Sequence, residues 1–163
     1  MTKAVETTLE IDLDALAHNY QYIHSKVNPT TKILAVVKAT AYGSDDIIIA
    51  QELESLGVDY FAVAYANEGS KLRKAKVETP ILVLHPLPAN FDLILERCLE
   101  PSIYSRKMLR DFISFAEKQQ QRNYPIHLKF NTGLNRLGFE ESDTEWILKE
   151  LQKSSSIKVV SIF

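Results

Sequence analysis

Residues 32–46, KILAVVKATAYGSDD, contain five consecutive apolar residues that end at Lys38 and are followed at once by a turn with Gly43. A short apolar run bounded by turn residues predicts a buried β-strand. The next stretch, DDIIIAQELESLG, is typical of a helix, with Gly57 in the position just after its end. These residues therefore predict one βα unit that carries a lysine at the end of its strand.

The same alternation of strand and helix continues along the chain on both sides of this unit. A helix is predicted over 13–27 with Asp12 as its N-cap, and further helices over 67–75, 106–121 and 143–154. Consecutive apolar strands predict a parallel sheet buried on both faces, so the fold class is α/β, either a doubly wound sheet or a (β/α) barrel. The six predicted strands are KILAVVK (32–38), DYFAVAY (59–65), PILVLHP (80–86), PSIYS (101–105), PIHLKFN (125–131) and IKVVSIF (157–163).

Composition narrows the class of protein. The chain has 163 residues, of which 45% are hydrophobic and 25% charged, and it lacks a linker, so one globular unit is expected. A net charge of −2 without a basic run disfavours nucleic acid as a partner, and no apolar run approaches the ~20 residues of a membrane span. The single cysteine, Cys98, excludes a disulfide framework and a cysteine-rich metal site, and it favours a cytoplasmic location.

The last strand, IKVVSIF, has no covering helix after it, although parallel strands of this class are normally followed by one. If the parent is an eight-stranded barrel, the sequence contains about six of its βα units and leaves two strand edges unpaired. Unpaired edges are templates for pairing with another chain, so the fragment is expected to self-associate.

Lys38 is the candidate for chemistry. Strand alternation places it on the same face as Leu34 and Val36, at the carboxyl end of its strand, which is where α/β sheets and barrels bind ligands. An amine that is partly desolvated by apolar neighbours is a candidate Schiff-base nucleophile. A lysine that packs its stem on the strand end and extends its ammonium into water is the alternative that position alone leaves open.

Several stretches resemble the alanine racemases. AVVKATAYG (35–43) is similar to the cofactor-lysine motif of that family, and HLKFNTGLNRLGF (127–139) is similar to its second motif. The stretches at 9–20, 59–73 and 101–105 also match in order and spacing. The resemblance implies a (β/α)8 TIM-type barrel truncated to about six βα units. Residues 1–163 would then be part of a pyridoxal-phosphate-binding N-terminal domain, without the β-rich C-terminal domain.

The resemblance also implies roles for individual residues. Lys38 is expected to form a Schiff base with pyridoxal 5′-phosphate and to act as an acid/base group on the substrate α-carbon. Tyr42 is expected to contact the cofactor phosphate. Arg136 is expected to bind the cofactor's phenolic oxygen and to approach the substrate carboxylate. Lys129, as a carbamate, would supply the anion that orients Arg136, and no metal site is implied.

For the parent protein, the resemblance implies a homodimer that interconverts L-alanine and D-alanine for peptidoglycan synthesis. The second acid/base group of the family is a tyrosine from the C-terminal domain of the opposite subunit, so the fragment is expected to be inactive and to bind the cofactor weakly. Thr40, Asn131 and the Ser-Asp pair at 44–45 depart from the commonest family pattern. They resemble the branch that is fused behind a cell-wall UDP-N-acetylmuramoyl-peptide ligase.

Two other functions share the fold and the lysine. Single-domain barrels of pyridoxal-phosphate homeostasis bind the cofactor without racemase activity, and the motif that contains Arg136 disfavours them. Amino-acid decarboxylases of the same fold differ in their lysine and arginine motifs and in length.

The four histidines and one pair of charged residues are expected to have mostly structural roles. His18, His24 and His85 lack metal-ligand spacing and are expected to be structural or solvent-facing. His127 shares a strand face with Lys129, and either a structural hydrogen bond or a role beside the site suits it. Glu68 and Arg73 are expected to pair on the helix after the second strand.

Overall fold

The computed structural model describes residues 7–163, so residues 1–6 of the predicted domain lie outside the described part. All six predicted strands are present, and each is shorter than predicted because its terminal residues belong to loops. They are β1 (Leu34–Val36), β2 (Tyr60–Val63), β3 (Ile81–Val83), β4 (Glu100–Ile103), β5 (Tyr124–Leu128) and β6 (Ile157–Ile162).

Seven α-helical elements lie between and before the strands of the described chain, besides two short 3-10 helices at Pro88–Asn90 and Glu141–Asp143. Asp12 caps the first, as predicted, and its Oδ1 accepts a hydrogen bond of 2.8 Å from the Ala15 N–H. Gly57 follows α3 with a φ of 85°, as expected for a residue just after a helix end. The elements are α1 (Leu13–Lys26), α2 (Lys38–Gly43), α3 (Asp46–Ser55), α4 (Ala66–Lys74), α5 (Phe91–Glu96), α6 (Arg106–Lys118) and α7 (Thr144–Leu151).

The strand order identifies the architecture. All strands run parallel, and each pairs only with its neighbours in sequence, from β1 through β6. A doubly wound sheet reverses its order at a switch point, whereas the wall of a (β/α) barrel does not. The fold is therefore the six-stranded wall of a TIM-type barrel, as predicted.

The two faces of this wall have different surroundings. One face packs beneath the helices in a core that includes Phe61, Val63, Ile81 and Phe112. The other face lines an open cavity of about 700 Å³ with side chains from β1, β2, β3, β5 and β6. This cavity is the concave interior of the barrel wall.

The expectation that every strand is buried on both faces is wrong for the two edge strands. Leu34 and Val36 of β1 are 41% and 39% exposed, and Val160 and Ile162 of β6 are 42% and 66% exposed. Their side chains face the open cavity or the free edge, where no further strand of the described chain covers them. No helix within residues 7–163 is long and apolar enough to cross a membrane.

Candidate active site

Lys38 stands directly beyond β1, at the carboxyl end of the sheet, and its side chain is half-buried. Its Nζ lies 5.9 Å from the centroid of the Tyr42 ring. Tyr42 is itself 70% exposed. The structure thus brings together the two residues of the first motif that were predicted to bind the cofactor.

The backbone between these two residues is wound in the left-handed sense. Residues 39–42 have φ of 49–58° and ψ of 36–50°, which are the angles of a left-handed helical turn. The Val37 carbonyl accepts a hydrogen bond of 3.0 Å from the Ala41 N–H and closes the turn. L-residues lose roughly 1–2 kcal/mol each in this conformation, so the turn persists only because its surroundings hold it. None of these residues is a glycine, so the sequence predicted a turn here but not its left-handed winding.

Glu68, near the start of α4, contacts the lysine-bearing turn. Its Oε1 accepts a hydrogen bond of 2.9 Å from the Ala39 N–H. Its Oε2 accepts from the N–H groups of Ala64 and Tyr65, at 2.6 Å and 3.2 Å. The carboxylate therefore joins the residue that follows Lys38 to the end of β2.

The predicted pair between Glu68 and Arg73 is wrong. They lie five residues apart on α4, which is more than one helical turn, so their side chains do not face each other. The Glu68 carboxylate is engaged by backbone N–H groups at the helix start. Arg73 extends to the opposite end of the sheet, where it donates to the carbonyl oxygens of Val77, Thr79, Arg97 and Cys98 at 2.7–3.2 Å.

His85 follows β3 at the same end of the sheet as Lys38. Its N–H donates to the Ala64 carbonyl at 2.8 Å, and its ring lies 6.1 Å from the Tyr65 ring. Burial lowers the pKa of the imidazole. The positive charges of Arg136, Lys38 and Lys129 lower this pKa further. Lys38, His85 and Lys129 all follow the carboxyl ends of strands, so they lie at the same end of the sheet. Sequence reasoning missed this placement of His85, and its position near the carboxyl end of the predicted strand 80–86 was the available signal.

Lys129 and Arg136 lie beyond β5. Lys129 is half-buried and its Nζ lies 4.9 Å over the Phe163 ring, whereas Arg136 is exposed on the following loop. The loop folds back because the Phe139 N–H donates to the Lys129 carbonyl at 2.8 Å. Gly138 is required there, since a Cβ at its φ of 146° would lie 2.4 Å from the Asn131 nitrogen.

Asn131 organises this loop, whereas the sequence predicted it to be the last residue of the strand over 125–131. That placement is wrong because β5 ends at Leu128. The Asn131 Oδ1 accepts from the N–H groups of Gly133 and Asn135, at 3.2 Å and 3.0 Å. Its Nδ2 donates to Glu140 Oε1 at 2.9 Å.

The three cations at this end have no matching anion among residues 7–163. Within residues 7–163, no carboxylate forms an ion pair with Lys38, Lys129 or Arg136. No three His, Cys, Asp or Glu side chains of the same residues are grouped to hold a metal ion. The charge and the donor set therefore suit an anionic organic ligand.

His127 has a structural role. It is 3% exposed, and its Nδ1 and Nε2 lie 2.6 Å from Ser161 Oγ and 2.8 Å from Glu100 Oε2. The Tyr60 hydroxyl donates to the same Glu100 oxygen at 3.2 Å, and burial together with Glu100 raises the pKa of Tyr60 to about 12. Of the two roles left open for His127, the structural hydrogen bond is confirmed.

Comparison with known proteins identifies relatives over most of the chain. Residues 11–163 match the family model of the alanine racemase N-terminal domain. Alanine racemase 1 of Caldanaerobacter subterraneus subsp. tengcongensis is 36% identical over 138 residues, which cover 84% of this chain and 35% of that protein. An alanine racemase of a Geobacter strain is 35% identical over 159 residues, covering 96% of this chain and 42% of that protein.

Solved structures show the same fold. An alanine racemase of Clostridium difficile in complex with cycloserine superposes with a TM-score of 0.87 at 30% identity, covering 93% of this chain and 42% of that one. The alanine racemase of Corynebacterium glutamicum superposes with a TM-score of 0.85 at 28% identity, covering 94% of this chain and 44% of that one. The chain thus spans about two fifths of the length of the relatives that it matches.

Proposed function

This chain belongs to the family of alanine racemase N-terminal domains, and we propose that it forms the cofactor-binding barrel of a pyridoxal-phosphate-dependent alanine racemase. One observation carries the proposal. The half-buried amine of Lys38 stands at the ligand-binding end of the sheet, in a region with two further cations and no paired carboxylate in the described chain.

The residues at this end suit pyridoxal 5′-phosphate, which carries an aldehyde, a phosphate and a phenolic oxygen. A lysine amine is the group that reacts with such an aldehyde. The exposed Tyr42 hydroxyl is available to the phosphate, and the Arg136 guanidinium suits two-point contact with a phenolate or a carboxylate. When bound, the cofactor supplies an electron sink that makes the α-proton of an amino acid removable at neutral pH.

Each of the four site residues then has a separate task. Lys38 holds the cofactor and moves a proton to or from the substrate α-carbon at its Nζ. Tyr42 anchors the phosphate, and Arg136 orients the substrate carboxylate. Conversion of Lys129 to a carbamate would replace a repulsive cation beside Arg136 with an attractive anion.

The activity is proposed for the whole protein, because this chain spans 35% to 42% of its curated relatives. We infer a cytoplasmic homodimer that supplies D-alanine for peptidoglycan, with the second proton-transfer group contributed by the partner subunit. Residues 1–163 alone are expected to be inactive and to self-associate through the β1 and β6 edges. Fusion to a cell-wall ligase stays a prediction.

Covalent capture of the cofactor by Lys38 tests the role of this lysine. The chain is mixed with pyridoxal 5′-phosphate, reduced with borohydride and digested for mass spectrometry. We expect the adduct on the peptide that contains Lys38, its loss in Lys38→Arg and its retention in Lys32→Arg. Lys32 is an exposed lysine just before the same strand, so it is a matched control. Equal labelling of both lysines would contradict the proposal.

The reaction itself is tested on the full-length parent protein. Incubation with L-alanine is expected to produce D-alanine, measured by chiral chromatography, until the two enantiomers are equal. Release of carbon dioxide would instead identify a decarboxylase. Cofactor binding with neither reaction would identify a homeostasis protein.

A further inference from the structure

The Glu68 carboxylate joins two parts of the chain, one of which lies 29 residues before Glu68 and the other directly before its helix. Its Oε1 accepts the Ala39 N–H, and its Oε2 accepts the N–H groups of Ala64 and Tyr65. Two βα loops, the one after β1 and the one after β2, are thereby tied to a single side chain.

Helix capping accounts for only part of this arrangement. Glu68 is the third residue of α4, and a glutamate there commonly accepts the N–H of the residue that precedes the helix, here Tyr65. That contact uses Oε2. The bond from Oε1 to Ala39 contributes nothing to α4, because Ala39 belongs to the turn after β1. The second oxygen therefore has a task outside its own helix.

The Ala39 N–H is part of the peptide group that follows the Lys38 Cα. A hydrogen bond to this N–H fixes the orientation of that peptide plane, and the plane determines the direction in which the Lys38 side chain leaves the backbone. Ala39 also opens the left-handed turn, which is strained in every residue up to Tyr42. Hydrogen bonds to a carboxylate are about twice as strong as those between neutral groups, which suits a strained segment.

We propose that Glu68 is a positioning residue that directs Lys38 into the ligand site by holding the Ala39 N–H. The proposal rests on the function proposed above for Lys38, since it explains how the amine is aimed. Nothing in the sequence pattern indicated it, because the two residues lie on different βα units.

A matched pair of variants separates positioning from stability. Glu68→Gln keeps the size of the side chain, but its amide NH₂ cannot accept. We expect the amide oxygen to stay with the two N–H groups of Ala64 and Tyr65, so that Ala39 loses its partner. Glu54→Gln is the control. Glu54 also accepts two backbone N–H groups with one carboxylate, from Glu78 and Thr79 at 2.8 Å and 2.7 Å, but at the opposite end of the sheet.

The first measurement is amide hydrogen exchange at Ala39 in the folded chain, followed by NMR. Loss of a hydrogen bond to a charged group is worth about tenfold in a local equilibrium, so we expect exchange to be about tenfold faster in Glu68→Gln. In Glu54→Gln the Ala39 exchange rate should match that of the unchanged chain. Equal rates in all three proteins would overturn the proposal.

The second measurement is the reactivity of Lys38 without the cofactor. Reductive methylation with formaldehyde labels lysine amines, and its rate is read for the Lys38 peptide across a pH series. We expect the pH profile of Lys38 labelling to shift in Glu68→Gln and to stay unchanged in Glu54→Gln. An unchanged profile in Glu68→Gln, or equal shifts in both variants, would overturn the proposal. Because this label needs no pyridoxal phosphate, a failure of the proposed function would be seen separately, as absence of the borohydride adduct.

Discussion

The two ends of the parallel sheet use their cationic side chains in opposite ways. At the amino ends of the strands, Arg73 donates to four backbone carbonyls. At the carboxyl ends, Lys38, Lys129 and Arg136 have no paired carboxylate in the described chain.

This difference shows which charges stabilise the fold and which are available to a ligand. A charge that is surrounded by backbone partners contributes to the free energy of unfolding, because its removal leaves buried groups unsatisfied. A cation without a partner repels its neighbours and attracts an anion. The contrast agrees with the general rule that barrel function lies at the carboxyl ends of strands and stability at the amino ends.

Removal of Arg73 should have the largest effect on stability. Arg73→Leu leaves four carbonyl groups without their donor, and we expect the free energy of unfolding to fall by about 3 kcal/mol. Urea denaturation followed by circular dichroism measures it. Arg122→Leu, at an exposed arginine near the same end, should change stability by about 0.5 kcal/mol or less. Equal losses in the two variants would break the comparison.

Acidification should lower the free energy of unfolding by an intermediate amount, and this loss should depend on His85. The pKa of His85 in the folded chain lies below its ordinary value of 6.5, so the unfolded chain binds a proton that the folded chain does not. Stability is therefore lost as the pH falls through about 6.5. In His85→Asn this loss is absent, and urea denaturation between pH 7.5 and 5 (roughly the range in which His titrates) should show a shallower decline. If stability declines equally in His85→Asn and in the unchanged chain, the prediction for His85 is contradicted.

Removal of Lys129 should have the smallest effect. Lys129→Met deletes one of three like charges, so we expect a change of about 0.5 kcal/mol or less in the direction of greater stability. High salt should abolish the gain by screening the remaining cations. Denaturation at low and high ionic strength measures both. A loss above about 1 kcal/mol would place Lys129 with Arg73 as a structural charge.

The periodicity of apolar residues and the turn residues at strand ends predicted much of the fold. The elements that were predicted wrongly have local causes. β5 was extended to Asn131 because the alternation of apolar and polar residues continues past Leu128, where the backbone bonds change partners from β4 to Phe139. The helix α5 was missed because FDLILE has only six residues, with three consecutive apolar ones that resemble a strand as much as a helix.

Only those site residues that belong to the two stretches resembling a known family could be predicted from the sequence. Lys38, Lys129 and Arg136 belong to stretches that resemble a known family, and strand topology carries them to one end. The contact of Glu68 with Ala39 was not predictable, because it depends on how two separate βα loops meet. The predicted pair of Glu68 and Arg73 already conflicts with helical spacing, because side chains that meet on a helix are three or four residues apart and these two are five apart.

The left-handed turn after Lys38 has a consequence for chirality. For a D-amino acid, the backbone angles of residues 39–42 are the mirror image of the ordinary right-handed helix, and the steric cost that L-residues meet there disappears. Chemical synthesis with D-alanine at position 41 would therefore relax the turn. The same exchange in α6, an ordinary right-handed helix, would disrupt that helix. In this short segment of the protein, enantiomeric preference is reversed.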